Sequence, residues 1–506
     1  ASHDVLKAMT VSEITDIPDR AVARLLDRNA PYRQKCEALL PLVSGYDAEM
    51  VRLGLTGYLK TFRRPELQKF IAEDFANPKI LDEFQPAAKG GFAKALGPDL
   101  LVHVWAGNVP GLPLWSMVAG LLVKAGSIGK VPSGEPLFAG WFAQLLAEVE
   151  PKLADCLAIV WWKGGDAARE AALLKKADTV IAYGGNESLT ELRKQVPITT
   201  RYLPHGHKVS FGMVARDALD TRKAPGVAQQ AAYDVVRYDQ QGCYSPHLFF
   251  VERGGRVSPR EFTRYVAHAL AGYETKYPRR ELTIAEAGGI AAWRDAAETE
   301  ALSHPEMEVI ASETGTWCAV YCEDTTTLNP SGLNRTIRIV AVDALDDVAP
   351  LVAPFRAFLQ TAGIAAAPEE LHRLSALLGA AGVTRTFALG SMTPPPAGRP
   401  HDGRLNPLGP PRMAQTQTPA QNPAAPHPPT GPDPAALAGI TRGAVRAAGL
   451  LADVTVIRVF WPILCRVAAT TPSARLGFNT AERSWLDNVQ LGRPGVSPWI
   501  GAFEID

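Results

Sequence analysis

The stretch Leu100-Leu101-Val102-His103-Val104-Trp105-Ala106-Gly107-Asn108-Val109-Pro110-Gly111, running on from Leu112 to Lys124, decides the fold. Its first half is apolar and short, as a buried strand is. A Gly- and Pro-bearing break follows, and the run to Lys124 reads as a helix. The unit then recurs. Ser127 to Val131 is a strand with a helix from about Glu135 to Val149. Cys156 to Trp162 is the next strand, with a helix over Asp166 to Lys176. Thr179 to Tyr183, the turn Gly184-Gly185 and a helix over Glu187 to Lys194 make the fourth. Strand, short Gly-bearing turn and helix, four times over, call for a parallel sheet with helices on its faces. Such sheets bind ligands at the carboxyl ends of their strands.

On the N-terminal side, residues 1–98 carry helical periodicity with polar breaks, for example where Pro65 opens the run Glu66-Leu67-Gln68-Lys69-Phe70-Ile71. On the C-terminal side a second α/β unit is expected from about Val209 to Gly390. It includes the strand Leu248-Phe249-Phe250-Val251, a helix near Arg260 to Tyr273 and the strand Thr336 to Val342. Composition then breaks. Between Pro394 and Ala435, 14 of 42 residues are proline and only Asp402 and Asp433 are acidic, which cannot form a regular core and reads as an extended, mobile linker. Residues 436–506 regain apolar content, notably from Val454 to Leu464, without a chemical motif.

With 506 residues the chain can bury a large core. Lys+Arg and Asp+Glu balance at 52 each, so no net field draws it to nucleic acid or an anionic membrane. Six cysteines without framework spacing fit a reducing cytoplasm. Cys318 and Cys322 stand four apart in an apolar run with no accompanying histidine or second pair, so they read as packed strand residues and no metal site is expected. There is no charged-then-apolar leader. The longest apolar candidate, Val109 to Val123, is broken by Pro110 and Pro113, short of the roughly 18 residues a span needs. A soluble, cytoplasmic protein is the expectation.

Chemistry is concentrated in four runs. Gln240-Gln241-Gly242-Cys243-Tyr244-Ser245-Pro246-His247 sets a cysteine after a backbone-permissive residue, where a thiol can meet a carbonyl carbon and backbone N–H groups. The bland alternative is a buried core cysteine. Asn108, in the first Gly-bearing break, offers an amide donor where a carbonyl oxygen gathers charge, or else caps the following helix. Lys130-Val131-Pro132-Ser133-Gly134-Glu135 ends a strand and starts a helix. Its lysine could reach a ribose or phosphate, or simply be solvated. Tyr183-Gly184-Gly185-Asn186-Glu187-Ser188 is a Gly turn into a helix that suits a pyrophosphate but lacks the G-x-G-x-x-G fingerprint.

In this order and spacing the four runs resemble the aldehyde dehydrogenase superfamily, and they look like the LuxC-type fatty acyl-CoA reductases that supply aldehyde in bacterial luminescence. The similarity covers roughly residues 75 to 405, ending at His401-Asp402-Gly403. It implies a Rossmann-type cofactor domain with the N-terminal helices in residues 1–208 and an α/β catalytic domain in 209–393, to which composition adds the Pro-rich linker in 394–435 and a tail of no assigned role in 436–506. It also implies roles. Asn108 would supply the oxyanion hole, Lys130 would hold the adenosine ribose, Gly184 and Gly185 would lie near the pyrophosphate, and Cys243 would be the nucleophile.

Two departures bear on the reaction. Ordinary aldehyde dehydrogenases carry a glutamate that activates the deacylating water. The corresponding stretch here is Pro204-His205-Gly206-His207-Lys208, with no carboxylate, which suits thioester reduction better than aldehyde oxidation. His205 or His207 could protonate the departing group. An acidic residue that NAD-preferring relatives place three after the lysine is Ser133 here. Its absence removes repulsion against a 2′-phosphate, which Lys130 and Lys163 could pair, so NADPH is the expected cofactor. The resemblance implies an acyl-CoA or acyl-protein thioester as substrate, a long acyl chain, an acyl-transferring or synthetase partner and a homo-oligomer. It does not extend to residues 407–506, where the family's apolar and acidic ending is replaced by the Pro-rich run. The rival readings are a cysteine acyltransferase or thioesterase without nicotinamide, a CoA-acylating aldehyde dehydrogenase of another substrate class, and an inactive scaffold.

Overall fold

A computed structural model describes residues 2–87, 90–325, 327–393, 412–416 and 456–457. The first repeated units build a parallel sheet from β1 (Leu100–Val104), β2 (Gly126–Lys130), β3 (Leu157–Val160), β4 (Thr179–Tyr183) and β5 (Arg201–His205) in the order 3-2-1-4-5. Residues 456–457 pair antiparallel with the edge strand β3. The order reverses between β1 and β4, where an open α/β sheet leaves a crevice at its carboxyl edge. Local sequence explains the elements. Leu101 and Val102 in β1 are fully buried, and Pro113 opens the almost wholly buried helix α3 (Pro113–Leu122).

The N-terminal segment is only partly as expected. Helices α1 (Val11–Leu26), with a Thr10/Glu13 capping box, and α2 (Ala48–Lys60) bury apolar stripes. Phe92–Leu96, however, is a strand, paired antiparallel with Gln85–Pro86 and with 412–416. Its burial alternates, with Ala93 and Ala95 inward, and a period of two overrides the helical reading there. The segment 412–416 falls within the Pro-rich run; the rest of that run and most of the tail lie outside the described residues.

The second sheet contains β6 (Val209–Val214), β7 (Pro246–Glu252), β8 (Glu308–Ala311), β9 (Cys318–Cys322), β10 (Thr336–Val342), β11 (Leu359–Ala365) and β12 (Arg385–Ala388) in the order 8-9-10-7-6-11-12. All its pairings are parallel except β8 with β9. Cys318 and Cys322 are packed within β9, where Cys322 Sγ meets the Arg338 guanidinium at 3.5 Å. The chain passes from β5 to β6 through only Gly206–Lys208, so the carboxyl edge of the first sheet abuts the amino edge of the second. Among the described residues, no helix is long and apolar enough to cross a membrane.

Candidate active site

The Cys243 run begins in a costly conformation. After helix α6 (Ala224–Val236), three consecutive side-chain-bearing residues, Tyr238, Asp239 and Gln240, adopt left-handed backbone with φ of 47°, 49° and 60°. Each such residue costs about 1–2 kcal/mol, so the surroundings must hold them. A second left-handed run, Leu333, Asn334 and Arg335 (φ 60°, 51° and 71°), does so. Arg335 Nε donates to Asp239 Oδ1 at 2.7 Å with both side chains 1% exposed, and the Arg335 backbone N–H donates to Gln240 Oε1 at 2.7 Å. The Asn334 N–H donates to the Asp239 carbonyl, and the Gln240 amide donates to the carbonyls of Pro246 and Thr336. The two turns interlock and present Gln241-Gly242-Cys243. Ser210 Oγ of β6 donates to the Cys243 carbonyl at 2.8 Å, and the Tyr244 ring folds over Gly242, where a Cβ would lie 2.4 Å from it.

Cys243 opens onto a cavity of about 620 Å³ where the two sheets meet. Asn108, Gly184, Gly185, His205 and His207 line it from the carboxyl edge of the first sheet. Cys243, His247, Gln360 and Arg385 line it from the amino edge of the second. Among the five described cysteines only Cys243 is not buried; burial pushes the thiols of Cys156 and Cys318 up to about 11 and holds those of Cys36 and Cys322 high. The Asn108 side-chain amide donates to the Gln241 carbonyl at 2.6 Å, two residues before the sulfur, and the Asn108 backbone carbonyl accepts from Tyr46 Oη at 2.7 Å. Helix α3 starts after Leu112 without a side-chain cap, so the capping alternative for Asn108 does not hold. No carboxylate is among the described residues lining the cavity.

Residues 6–408 match the acyl-CoA reductase (LuxC) family. The chain belongs to that family. The match takes in the N-terminal helices, well before residue 75, from which the four motifs reckoned it. The chain is 26% identical over 376 residues to long-chain acyl-protein thioester reductase 2 of Photobacterium leiognathi, covering 72% of this chain and 73% of that one. It is 23% identical over 351 residues to the long-chain acyl-protein thioester reductase of Vibrio harveyi, covering 69% and 71%. Among solved structures, the aldehyde dehydrogenase KauB from Pseudomonas aeruginosa superimposes with a TM-score of 0.61 at 14% identity, over 78% of this chain and 79% of that one. Aldehyde dehydrogenase 21 from Physcomitrella patens gives 0.60 at 14%, over 79% and 82%. The fold of this LuxC-family chain is therefore aldehyde-dehydrogenase-like.

Not all the sequence-derived site residues of this LuxC chain come together. Lys130, Ser133 and Lys163 are absent from the cavity wall; Lys130 is the last residue of β2, and Ser133 and Lys163 follow the ends of β2 and β3. Burial lowers the affinity of Lys130 for its proton, with Glu170 opposing, and its ammonium lies 5.4 Å from the Trp162 ring centre. Ser133 Oγ accepts from Trp161 Nε1 at 3.3 Å, and Lys163 is exposed. On the cavity wall itself, helix α5 (Asn186–Gln195) begins at Gly185 with no side-chain cap, and a Cβ on Gly184 would meet open space. Its uncapped N–H groups and the open glycine turn, with the half-buried Lys130, would suit the phosphates of a nicotinamide dinucleotide.

The histidines divide. His205 stacks on Tyr183 with ring centres 4.8 Å apart, while the His207 N–H is held by Asn186 Oδ1 at 3.1 Å and its side chain is exposed. His247 shares the cavity and carried no assigned role in the sequence. Burial drives it down to about 4, against a hydrogen bond with the Lys208 backbone, and its Nδ1 lies 3.3 Å from Ser331 Oγ. It is therefore neutral at physiological pH. Only its place at the end of the Cys243 run could have flagged it.

Proposed function

We propose that this chain reduces an acyl-CoA or acyl-protein thioester to the aldehyde, through an acyl-Cys243 intermediate and with NADPH as the reductant. What carries the reading is the meeting of Cys243 and the Asn108 amide on one cavity wall that has no carboxylate among its described residues. Membership of the family and the likeness to long-chain acyl-protein thioester reductases supply the substrate class.

The Cys243 thiolate attacks the thioester carbon, and the carbonyl electrons move to oxygen. The Asn108 amide, released from Gln241, and the Cys243 N–H stabilise that oxyanion. Its collapse breaks the carbon–sulfur bond to the donor, which leaves as a thiol with a proton from His205 or His207. The bound nicotinamide supplies hydride. Cys243 then carries the reduced carbon as a thiohemiacetal, whose collapse releases the aldehyde and restores the thiolate. Lys130 would hold the adenosine ribose and, with Lys163, the 2′-phosphate, in a surrounding where Ser133 adds no negative charge. The coenzyme-side residues Gly184 and Gly185 would face the pyrophosphate.

Mixing the protein with a long-chain acyl-CoA and NADPH should consume the reduced nicotinamide, and Cys243→Ala should abolish that consumption. CoA release without loss of NADPH would instead support a transferase or thioesterase, and full activity of Cys243→Ala would remove the nucleophile assignment. One charge-assisted contact contributes about 1.5–3 kcal/mol, so kcat/KM for NADPH should exceed that for NADH by at least about tenfold. Lys130→Ala should narrow that ratio.

A further inference from the structure

One part of the cavity wall has no task in this chemistry. Tyr58 and Gly54 of α2, Trp115 of α3, and Arg237, Tyr238 and Tyr244 around the nucleophile run form it. In this mainly aromatic surface stands one guanidinium. Arg237 is 5% exposed, and its Nε has no hydrogen-bond partner. No carboxylate among the described residues lies within ion-pair distance of it. The neighbouring Asp234 is within electrostatic reach of Arg237, but its two oxygens accept from the backbone N–H groups of Gly390 and Met392. What Arg237 does have is the faces of two tyrosines, Tyr233 at 5.6 Å and Tyr238 at 5.0 Å.

The arrangement is built, not incidental. A Cβ on Gly54 would lie 1.9 Å from Tyr238 Oη and 3.1 Å from Arg237 Nη2, so the helix is notched where the two side chains enter. Burial keeps Tyr58 and Tyr238 protonated, so both remain hydroxyl donors on this wall. Tyr244 lies within electrostatic reach of both Arg237 and Cys243, which puts the cation and the nucleophile on one continuous wall. A buried cation whose neighbouring carboxylate stands beyond ion-pair distance and is engaged by backbone N–H groups is under-compensated, because ring faces and a more distant charge offset only part of its desolvation. An alkyl chain pressed against it would add to the deficit. A planar oxyanion would remove it, in the two-pronged geometry that guanidinium favours.

We propose that Arg237 pairs with a carboxylate at the far end of the acyl group, so that the thioester taken by Cys243 is an ω-carboxyacyl thioester. This rests on the thioester reductase reading and narrows it. The same anionic chemistry could come from the phosphate of a pantetheine donor, and the test separates the two sources.

Binding is measured to the full-length Cys243→Ala protein, which reads acyl preference without turnover. Acyl thioesters of matched length, ending either in methyl or in carboxylate, are each made on CoA and on N-acetylcysteamine, which has no phosphate. The expected result is at least about tenfold tighter binding of the carboxylate-ended series on both donors, with Arg237→Met in the same background reversing the order. Arg237→Lys should retain part of the preference and serves as the folded control if the methionine variant is unstable. Equal binding or a methyl preference in the parent protein overturns the proposal. So does an Arg237→Met loss confined to the CoA series whatever the acyl end, which would assign the cation to the donor phosphate. Failure of the wild-type chain to oxidise NADPH with any of these thioesters would count against the reductase reading and leave the binding preference standing or falling by itself.

Discussion

At the scale of single residues, Asn108 and Glu135 show how the same kinds of group serve different ends. Asn108 is exposed on the cavity and holds the Gln241 carbonyl at 2.6 Å. Removing an oxyanion donor costs on the order of 10²–10³ in kcat, so Asn108→Ala should lower kcat by that factor while leaving KM nearly unchanged, as steady-state kinetics would show. Glu135 is 2% exposed; its Oε1 accepts from the N–H groups of Leu137 and Phe138 at 2.9 and 2.8 Å, and burial raises it from 4.5 to about 7. A folded-state pKa above the unfolded one means the native protein binds the extra proton between those values. Stability from this group is present below about pH 4.5 and is lost as pH rises through about 7. Glu135→Gln keeps both hydrogen bonds and removes the buried charge. It should raise stability by roughly 1–3 kcal/mol at pH 8 and by little at pH 5, measured by denaturant unfolding at the two pH values. Cys243, Asn108, His205 and His207 were legible because a family resemblance gave them places in a pattern. Arg237 was not, since an arginine after an apolar helix is ordinarily surface, and only its burial between two tyrosines distinguishes it.

Among the elements, the paired left-handed turns are the feature most tightly tied to Cys243. Neither run contains glycine, so nothing in Tyr238-Asp239-Gln240 or Leu333-Asn334-Arg335 announces the conformation. It exists only because each turn supplies the other's hydrogen-bond partners, a tertiary fact that local propensity does not encode. Removing one member of a buried ion pair costs about 3–5 kcal/mol, so Arg335→Met should lower unfolding stability by that amount in urea titrations. It should also slow acylation of Cys243, read by mass spectrometry at early times. The repeated strand and helix units were readable, because short apolar strands, Gly-bearing turns and proline-opened helices agree at each step. Helix α7 (Ile284–Ser303) was missed, and its scarcely buried surface explains why, since it shows no apolar stripe. Strand β11 was missed for a different reason. It reads Leu359-Gln360-Thr361-Ala362-Gly363-Ile364-Ala365, and its buried Gln360 and Thr361 interrupt the apolar pattern.

For the molecule as a whole, the decisive join is the three-residue passage from β5 to β6. It carries Gly206 between the two candidate acid histidines, and a Cβ there would lie 2.3 Å from Asn186 Oδ1, the oxygen that holds the His207 N–H. Gly206→Ala should therefore displace the histidine-bearing passage. The expectation is a fall in kcat of about tenfold or more, set against a stability loss near the 1–3 kcal/mol typical of overpacking, compared by kinetics and thermal unfolding. The meeting of the two sheets could be anticipated from the chain's two α/β units. The strand at Phe92–Leu96, and its pairing with 412–416 more than 300 residues later, could not, because so distant a partner leaves no mark on local sequence.

A pocket with no acidic residue among its described lining to rouse water has an outcome beyond the choice of product. Deprived of reduced coenzyme but supplied with thioester, the protein should stall charged, with its cargo parked on Cys243 and no drain through hydrolysis. The intact mass would then rise by one acyl group and stay raised for many times the normal cycle, falling back as soon as NADPH is added. The chain would behave as a latch that releases aldehyde only when reducing power arrives.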